Sequence, residues 1–518
     1  MNIELFKQTM KAGYSHKGES ILLGAAMFNG TVDKDCQIHL PLKTFNRHGL
    51  IAGATGTGKT KTLQLIAESL SQKSVPVLVM DIKGDLSGIA AKGAISDRIQ
   101  ERYANLGLVF EPKEFPVEFL TLNNGIGTRL KATVSEFGPI LLSKILGLND
   151  TQSGFVSMMF KFCDDNQLPL LDLKDFIKVL QFVSNEGKEA IEKDYGKISS
   201  TSTGTILRKV IELQQQGADV LFGEPSFDVD DLMRIDENGK GIVSVLRVND
   251  LQDKPKLFST FMLCLLAELY AKLPEEGDLD QPKLCLFIDE AHLIFNDASE
   301  ALLDQIETII KLIRSKGVGI FFITQNPTDV PPAVLSQLGL KVQHALRAFT
   351  AADRKSIKQS AENFPESEFY NVDEMLTQLG MGEAFITGLN EKGIPTPLAA
   401  TFLCAPSSRM DVLTNGELDQ IVCKSSIASH YNRDIDSQSA YEILNAKLSQ
   451  ASEKAEEEIE ESAPKSGRNE KSTLEEILSS PVTKQVARTA ANVITRSLLG
   501  ALGLSGGTSR SKKKSSWF

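Results

Sequence analysis

Residues 53 to 60 carry the types and spacing of a phosphate-binding loop, G-x-x-x-x-G-K-[ST]. They are Gly53, Ala54, Thr55, Gly56, Thr57, Gly58, Lys59 and Thr60. The glycines let the backbone turn sharply with no side chain in the way of an anion. Successive N–H groups and the start of the following helix then face that anion. Lys59 suits the β- and γ-phosphates of a nucleotide, the Thr60 hydroxyl suits magnesium, and Lys61 completes the nucleotide-binding set.

A phosphate loop needs an acid to hold the metal and a base to activate water. The run Leu284-Cys285-Leu286-Phe287-Ile288 ends in Asp289-Glu290, which supplies both. Asp289 is the expected metal ligand and Glu290 the expected general base, making this a hydrolase rather than a nucleotide holder. A further apolar run, Gly319 to Thr324, ends in Gln325, placed to sense the γ-phosphate. Arg314 precedes that run by a short glycine-containing turn and is a candidate to reach a neighbouring subunit's nucleotide. Arg47 is a second candidate, and Asp81 and Arg347 complete the candidate set.

These residues require strands that end at one edge of a sheet. Leu50-Ile51-Ala52 precedes the loop, and Leu63, Ile66, Ala67 and Leu70 follow it at helical spacing. Val77 to Met80, Leu106 to Phe110, Pro116 to Leu122, Gly241 to Leu246 and Lys341 to Leu346 extend the series of expected strands. Several lack two-residue alternation, which predicts strands covered on both faces, as in a parallel sheet between helices. Ile21 to Gly24 and Gln37 to Leu40 predict two short strands in an N-terminal segment, 1–44. The expected core then runs over 45–125 and 240–405. A mostly helical insertion, 126–239, interrupts it, with Thr201 to Thr205 read as a loop and helix N-cap. A C-terminal helical and low-complexity tail occupies 406–518. It contains an acidic run (453–461), a disordered linker (464–471), two short helices beyond it and a basic end, Lys512-Lys513-Lys514.

The length, 518 residues, allows two or more domains. The first sixteen residues lack a signal-peptide pattern and no apolar run is long enough to span a bilayer, so a cytoplasmic location is expected. Six scattered cysteines and six unclustered histidines predict buried thiols rather than disulfides or zinc. A formal net charge of −11 argues against a surface coated in positive charge for nucleic acid, while allowing a local basic channel.

Taken together these segments resemble the HerA–FtsK superfamily of P-loop ATPases, and more narrowly the HerA-like family typified by bacterial YjgR. The resemblance rests on Asn46-Arg47-His48-Gly49-Leu50 with the phosphate loop, Asp81 to Leu86, Gly138 to Leu142, and Gly217 with Phe222 to Pro225. Asp289 to Leu293, Thr324 to Pro327 and Gln343 to Arg347 extend it, so that it covers about residues 46–400. It implies an α/β fold with a RecA-like core and a mainly parallel sheet. It also implies ATP with Mg2+, hydrolysis at subunit interfaces of a homo-oligomeric, commonly hexameric ring, and DNA as a candidate substrate. In that family the Lys59, Thr60, Asp289, Glu290 and Gln325 positions form one site, and the Arg314 position is the finger donated in trans. One departure is the N-terminal segment, too short for the β-barrel domain of archaeal HerA helicases. A motor acting on protein or on a secretion or conjugation assembly, and a nucleotide-gated scaffold, are the alternatives.

Overall fold

The apolar runs that lack alternation become buried strands. The computed structural model describes residues 2–462, except 124, 198, 252–253, 278, 296–299, 349 and 436. The strands are β1 (Ser20–Phe28), β2 (Thr31–Pro41), β3 (Gly49–Ala52), β4 (Val77–Asp81), β5 (Val117–Thr121) and β6 (Thr128–Arg129). β7 (Val243–Arg247), β8 (Leu284–Ile288), β9 (Val318–Thr324), β10 (Leu340–Gln343), β11 (Glu383–Thr387) and β12 (Ala399–Leu403) follow. They form one sheet in the order β2-β1-β12-β11-β10-β3-β9-β8-β4-β7-β5-β6. Pairing is parallel from β10 through β6 and antiparallel from β2 through β10. Every residue of β3, β4, β8 and β9 is buried, as two-sided coverage requires.

The chain divides into two compact units. The first comprises Met1–Lys131 and Pro225–Asp434, and the second comprises Ala132–Glu224 and Ile435–Phe518.

In the first unit the N-terminal segment is more than two strands. Phe6, Met10 and Tyr14 recur every four residues and bury one face of a helix, Ile3–Tyr14, that the sequence reading passed over. Asn2 caps it, accepting from Glu4 N at 3.0 Å. β1 pairs with β12, so this segment extends the core sheet. Leu106 to Phe110 is not a strand. Ser96 caps a helix, Asp97–Leu106, and Gly107 closes it at φ 70°, which draws Leu106 into the helix. Residues 406–434 also fall in this unit rather than in a tail. Glu68, on the helix Lys59–Gln72, accepts from Ser407 N at 2.7 Å and Ser408 N at 3.1 Å and so fastens the segment to it.

The second unit is helical, with Val134–Ile145, Asp150–Asp165, Leu173–Ser184, Lys188–Tyr195 and Ser200–Gln215. Leu173–Ser184 has a capping box of Asp172 and Asp175 and buries Phe176, Val179, Leu180 and Val183. The helix Ala440–Ser462 packs on it, anchored where Tyr441 N donates to Asp175 Oδ1 at 2.9 Å. Thr201 to Thr205 is not a loop: Ser199 is the cap and these residues form the first turn of Ser200–Gln215. The linker and the two helices expected beyond 463 lie outside the described residues. No helix among the described residues is long and apolar enough to cross a membrane.

Candidate nucleotide site

Parallel pairing brings the C-terminal ends of β3, β9, β8 and β4 to one edge, where an open α/β sheet binds its ligand. β9 lies between the phosphate-loop strand and the Asp289 strand, with Ala52 opposite Thr324 and Ile288 opposite Phe322. Lys59, Thr60, Asp289, Glu290 and Gln325 therefore converge, although 231 residues separate Lys59 from Glu290 (290 − 59).

The loop from Gly53 to Gly58 leads into the helix Lys59–Gln72. Gly58 sits at φ 113°, a conformation that side chains resist, and opens the helix. A Cβ at Gly53 would come within 2.5 Å of His344 Cβ. His344 is the floor of the loop. Its Nε2 lies 2.9 Å from Thr62 Oγ1, and its pKa falls to about 4 through burial, then the charge of Lys59. A neutral ring there adds no charge beneath the phosphates. Ala54 N donates to Ala345 O at 2.8 Å and Gly382 N to Thr57 O at 3.2 Å, so the β10 and β11 ends hold the loop from one side. Lys59 Nζ donates to Ala54 O at 3.2 Å, and burial, then Lys83's charge, lowers its pKa, against Glu290 and Asp289. Lys61 Nζ donates to Gln64 Oε1 at 3.2 Å and also to Met410 O.

At the end of β8, Asp289 Oδ1 accepts from Glu290 N at 2.9 Å. Its Oδ2 is buried with no hydrogen-bond partner, as an oxygen awaiting a cation would be. Burial raises its pKa to about 7 against the pull of Lys83. Glu290 adopts φ 47°, a left-handed conformation costing about 1–2 kcal/mol for a side-chain-bearing residue. Such strain collects at functional sites. Its Oε1 is in contact with Lys83 Nζ, and its Oε2 lies 3.2 Å from His292 Nδ1 without hydrogen-bond alignment. Burial works against the Lys83 charge, but the bond to Glu290 and nearby Asp289 outweigh it and raise its pKa.

Lys83 is a side chain of this site that the motifs did not single out. It stands inside Asp81-Ile82-Lys83-Gly84-Asp85, of which only Asp81 was a candidate. Asp81 does not face the phosphates. Its Oδ1 accepts from Gly84 N at 2.7 Å and Asp85 N at 3.2 Å, and its Oδ2 from Leu86 N at 3.1 Å. Asp81 thus shapes the loop that delivers Lys83. Burial, partly offset by these bonds, raises its pKa to about 6.

Two of the three arginine candidates are elsewhere. Arg47 and Arg314 precede β3 and β9, at the opposite sheet edge, and line one cleft of about 530 Å³ with Lys311, Lys341 and Glu362. With β9 seven residues long, they stand roughly 20 Å from Lys59. His48 positions this edge: it accepts from Ile320 N at 3.0 Å and its Nε2 donates to Ile310 O at 2.9 Å. That tautomer ties the helix Glu300–Ile313, which Arg314 directly follows, to the sheet. Arg347 is exposed beyond the end of β10, on the same edge as the chain's own phosphate loop.

A family model described as helicase HerA-like C-terminal matches residues 27–510, a wider span than 46–400. The DNA double-strand break repair helicase HerA of Saccharolobus solfataricus is 24% identical over 396 residues, 74% of this chain and 68% of that protein. The protein of the same name from Sulfurisphaera tokodaii is 22% identical over 379 residues, 70% and 67% of the two chains. Among solved structures, plasmid coupling protein TrwB with a non-hydrolysable ATP analogue is similar with a TM-score of 0.49. It is 14% identical, with 77% of this chain and 99% of that chain covered.

Proposed function

This chain belongs to the helicase HerA-like C-terminal family and is a P-loop ATPase, and from that premise we propose that it is a ring-forming motor that translocates on or unwinds DNA. The observation that carries the reading is the split between the two sheet edges. One edge has a phosphate loop, a metal-ready aspartate and a base. The other has a cleft bearing two arginines. A chain cannot bring its own two edges together, but successive chains in a ring do so at every interface. The hexamer is the ring size expected of the family.

In this reading the Lys59 charge and the loop N–H groups bind the β- and γ-phosphates of ATP. Thr60 and Asp289 would hold Mg2+, which would neutralise charge on the phosphates. The free Asp289 Oδ2 fits that demand, and so does a site with few protein ligands, since magnesium keeps several waters. Glu290 accepts the proton of the attacking water, with Lys83 holding its carboxylate in place. Gln325 senses the γ-phosphate from the neighbouring strand. Arg314 of the adjacent chain, with Arg47 beside it, stabilises charge on the transferred phosphoryl group.

The test is ATP turnover by the purified oligomer with duplex DNA, single-stranded DNA or RNA. Stimulation by DNA supports the motor reading, and a strand-displacement assay then separates helicase from translocase. Turnover indifferent to all three points to a protein-directed motor or a scaffold. Absence of turnover in every condition overturns the reading.

A further inference from the structure

The cavity beside the phosphate loop, about 550 Å³, has two ends of different chemistry. Lys59, Thr60 and Lys83 stand at one end, beside Glu290. The other end is walled by Ile99, Met381, Leu403, Pro406 and Met410. A triphosphate fixed on Lys59 and Thr60 sends the rest of its molecule to the apolar end. We propose that this end is a nucleobase pocket that grips the base by its faces and leaves its edge unread, so that ATP and GTP are accepted with little distinction. The proposal rests on the reading of the loop as a nucleoside triphosphate site.

Most polar groups around the apolar end are engaged within the protein, and exposed Arg98 approaches Met381 Sδ at 3.9 Å. Arg102 donates to Leu403 O at 2.7 Å, Met381 O at 3.0 Å and Gly382 O at 3.2 Å. Its guanidinium lies over the Phe402 ring, 4.0 Å from the centroid. Tyr103 Oη donates to Ala405 O at 2.7 Å. Leu403 N donates to Gly382 O at 3.0 Å and Cys404 N to Leu23 O at 2.8 Å. No asparagine, glutamine or glutamate lines the cavity among the described residues, and its one aspartate, Asp85, belongs to the Lys83 loop. These bonds fix the walls and leave the lining few groups to pair with a base edge.

The pocket is also built in advance of any base. Gln64 Nε2 donates to Arg409 O at 2.9 Å and to Ser408 Oγ at 2.7 Å, and Glu68 holds Ser407 and Ser408. The 405–410 wall is therefore fastened to the helix that carries Lys59. A preformed apolar slot binds any flat ring of suitable size through burial. Rejection by ~10⁴–10⁵ needs buried groups that go unpaired with the wrong ligand, and the unpartnered buried oxygen among the described lining residues, Asp85 Oδ1, lies with Lys61 and Lys83 rather than at the apolar end.

Calorimetric titration of the full chain with magnesium and ATP, GTP or inorganic tripolyphosphate tests this. The wild type should bind ATP and GTP within about tenfold of each other. Ala405→Trp, which fills the slot, should weaken both by more than about tenfold and leave tripolyphosphate within about twofold. Met381→Ala trims a side chain that is 61% exposed, so the fold tolerates it, and should weaken both nucleotides by about threefold while sparing tripolyphosphate. ATP preferred over GTP by about 10³ or more overturns the unread edge. ATP bound equally well by wild type and Ala405→Trp overturns the pocket. So does a loss of tripolyphosphate binding in Met381→Ala that matches its loss of nucleotide. A wild type that binds no tripolyphosphate overturns instead the phosphate-loop reading beneath it.

Discussion

The two edges of the parallel sheet differ in what they do with charge. At the phosphate-loop edge, charges of both signs are interlocked. Lys83 meets Glu290, Asp81 is wrapped by its own loop, and Lys59 is folded onto Ala54. At the other edge, Arg47, Lys311, Arg314 and Lys341 share a cleft whose lining has one acid among the described residues, Glu362, with Glu307 pairing Lys311 at 3.8 Å. The first edge contains the phosphate loop and the acids proposed to act on a phosphoanhydride, with Lys59 and Lys83 near Glu290. The second has arginines and no phosphate loop. The proposed interface would bring the arginine cleft of the second edge to the phosphate loop of the first.

The largest expected effect comes from breaking the second edge. Arg314→Ala should lower ATP turnover by ~10³–10⁵ while retaining nucleotide binding and the oligomer. Turnover at the wild-type rate would transfer the role to Arg47, its neighbour in the cleft. Mixing Arg314→Ala with Lys59→Ala chains sharpens the comparison. Each variant is inactive alone, and recovered turnover in mixed rings would demonstrate that one chain's loop works with the next chain's arginine.

Breaking the first edge at its base should cost less. Glu290→Gln should bind ATP and lose ~10²–10⁴ in kcat, because an amide accepts no proton from water. Single-turnover kinetics checks this, and near-normal chemistry would remove Glu290 from the base role.

Lys83→Ala should come next. Loss of a charge-assisted bond of about 1.5–3 kcal/mol predicts a kcat drop of roughly 10- to 100-fold. The KM for ATP should change little if Lys83 acts only through Glu290. A matching rise in KM would show that Lys83 binds phosphate directly. Lys83→Arg should recover part of the loss, since it restores the charge opposite Glu290.

The smallest effect is on stability against pH. Asp81 has a folded pKa of about 6, raised by burial above the ordinary value of about 3.9. Between those values the folded state holds a proton that the unfolded state releases. The Asp81 contribution is therefore full below about pH 4 and is lost as pH rises through about 6. Asp81→Asn should flatten that part of the profile in denaturant titrations, and an unchanged slope would show that Asp81 does not contribute it.

Much of the nucleotide edge was legible in the chain. A phosphate loop is local: eight consecutive residues between a strand and a helix contain its backbone geometry and its lysine. The acids after β8 and the amide after β9 follow the same logic, a polar residue terminating an apolar run. The order in which those strands stand side by side is not written in any one of them. Long-range pairing put β9 between β3 and β8, and so put Gln325 between the strand ends that carry the loop and Glu290.

The errors have local causes too. Leu106 to Phe110 has strand composition, but the Ser96 and Gly107 caps end a helix in its midst. Asp81 has the position of a ligand, but its carboxylate is used by three N–H groups immediately after it. Motif and periodicity by themselves determined most of the parallel strands, the phosphate loop, the Asp289–Glu290 pair and the helical character of the insertion, because these depend on neighbours within a few residues. Tertiary structure alone decided that Lys83 meets Glu290, that His344 floors the loop, that residues 403–410 wall the nucleotide cavity, and that Arg47 and Arg314 share one cleft. Each of those contacts joins residues far apart in the chain, and burial, charge and hydrogen bonding act on distance in space, which only the folded sheet sets.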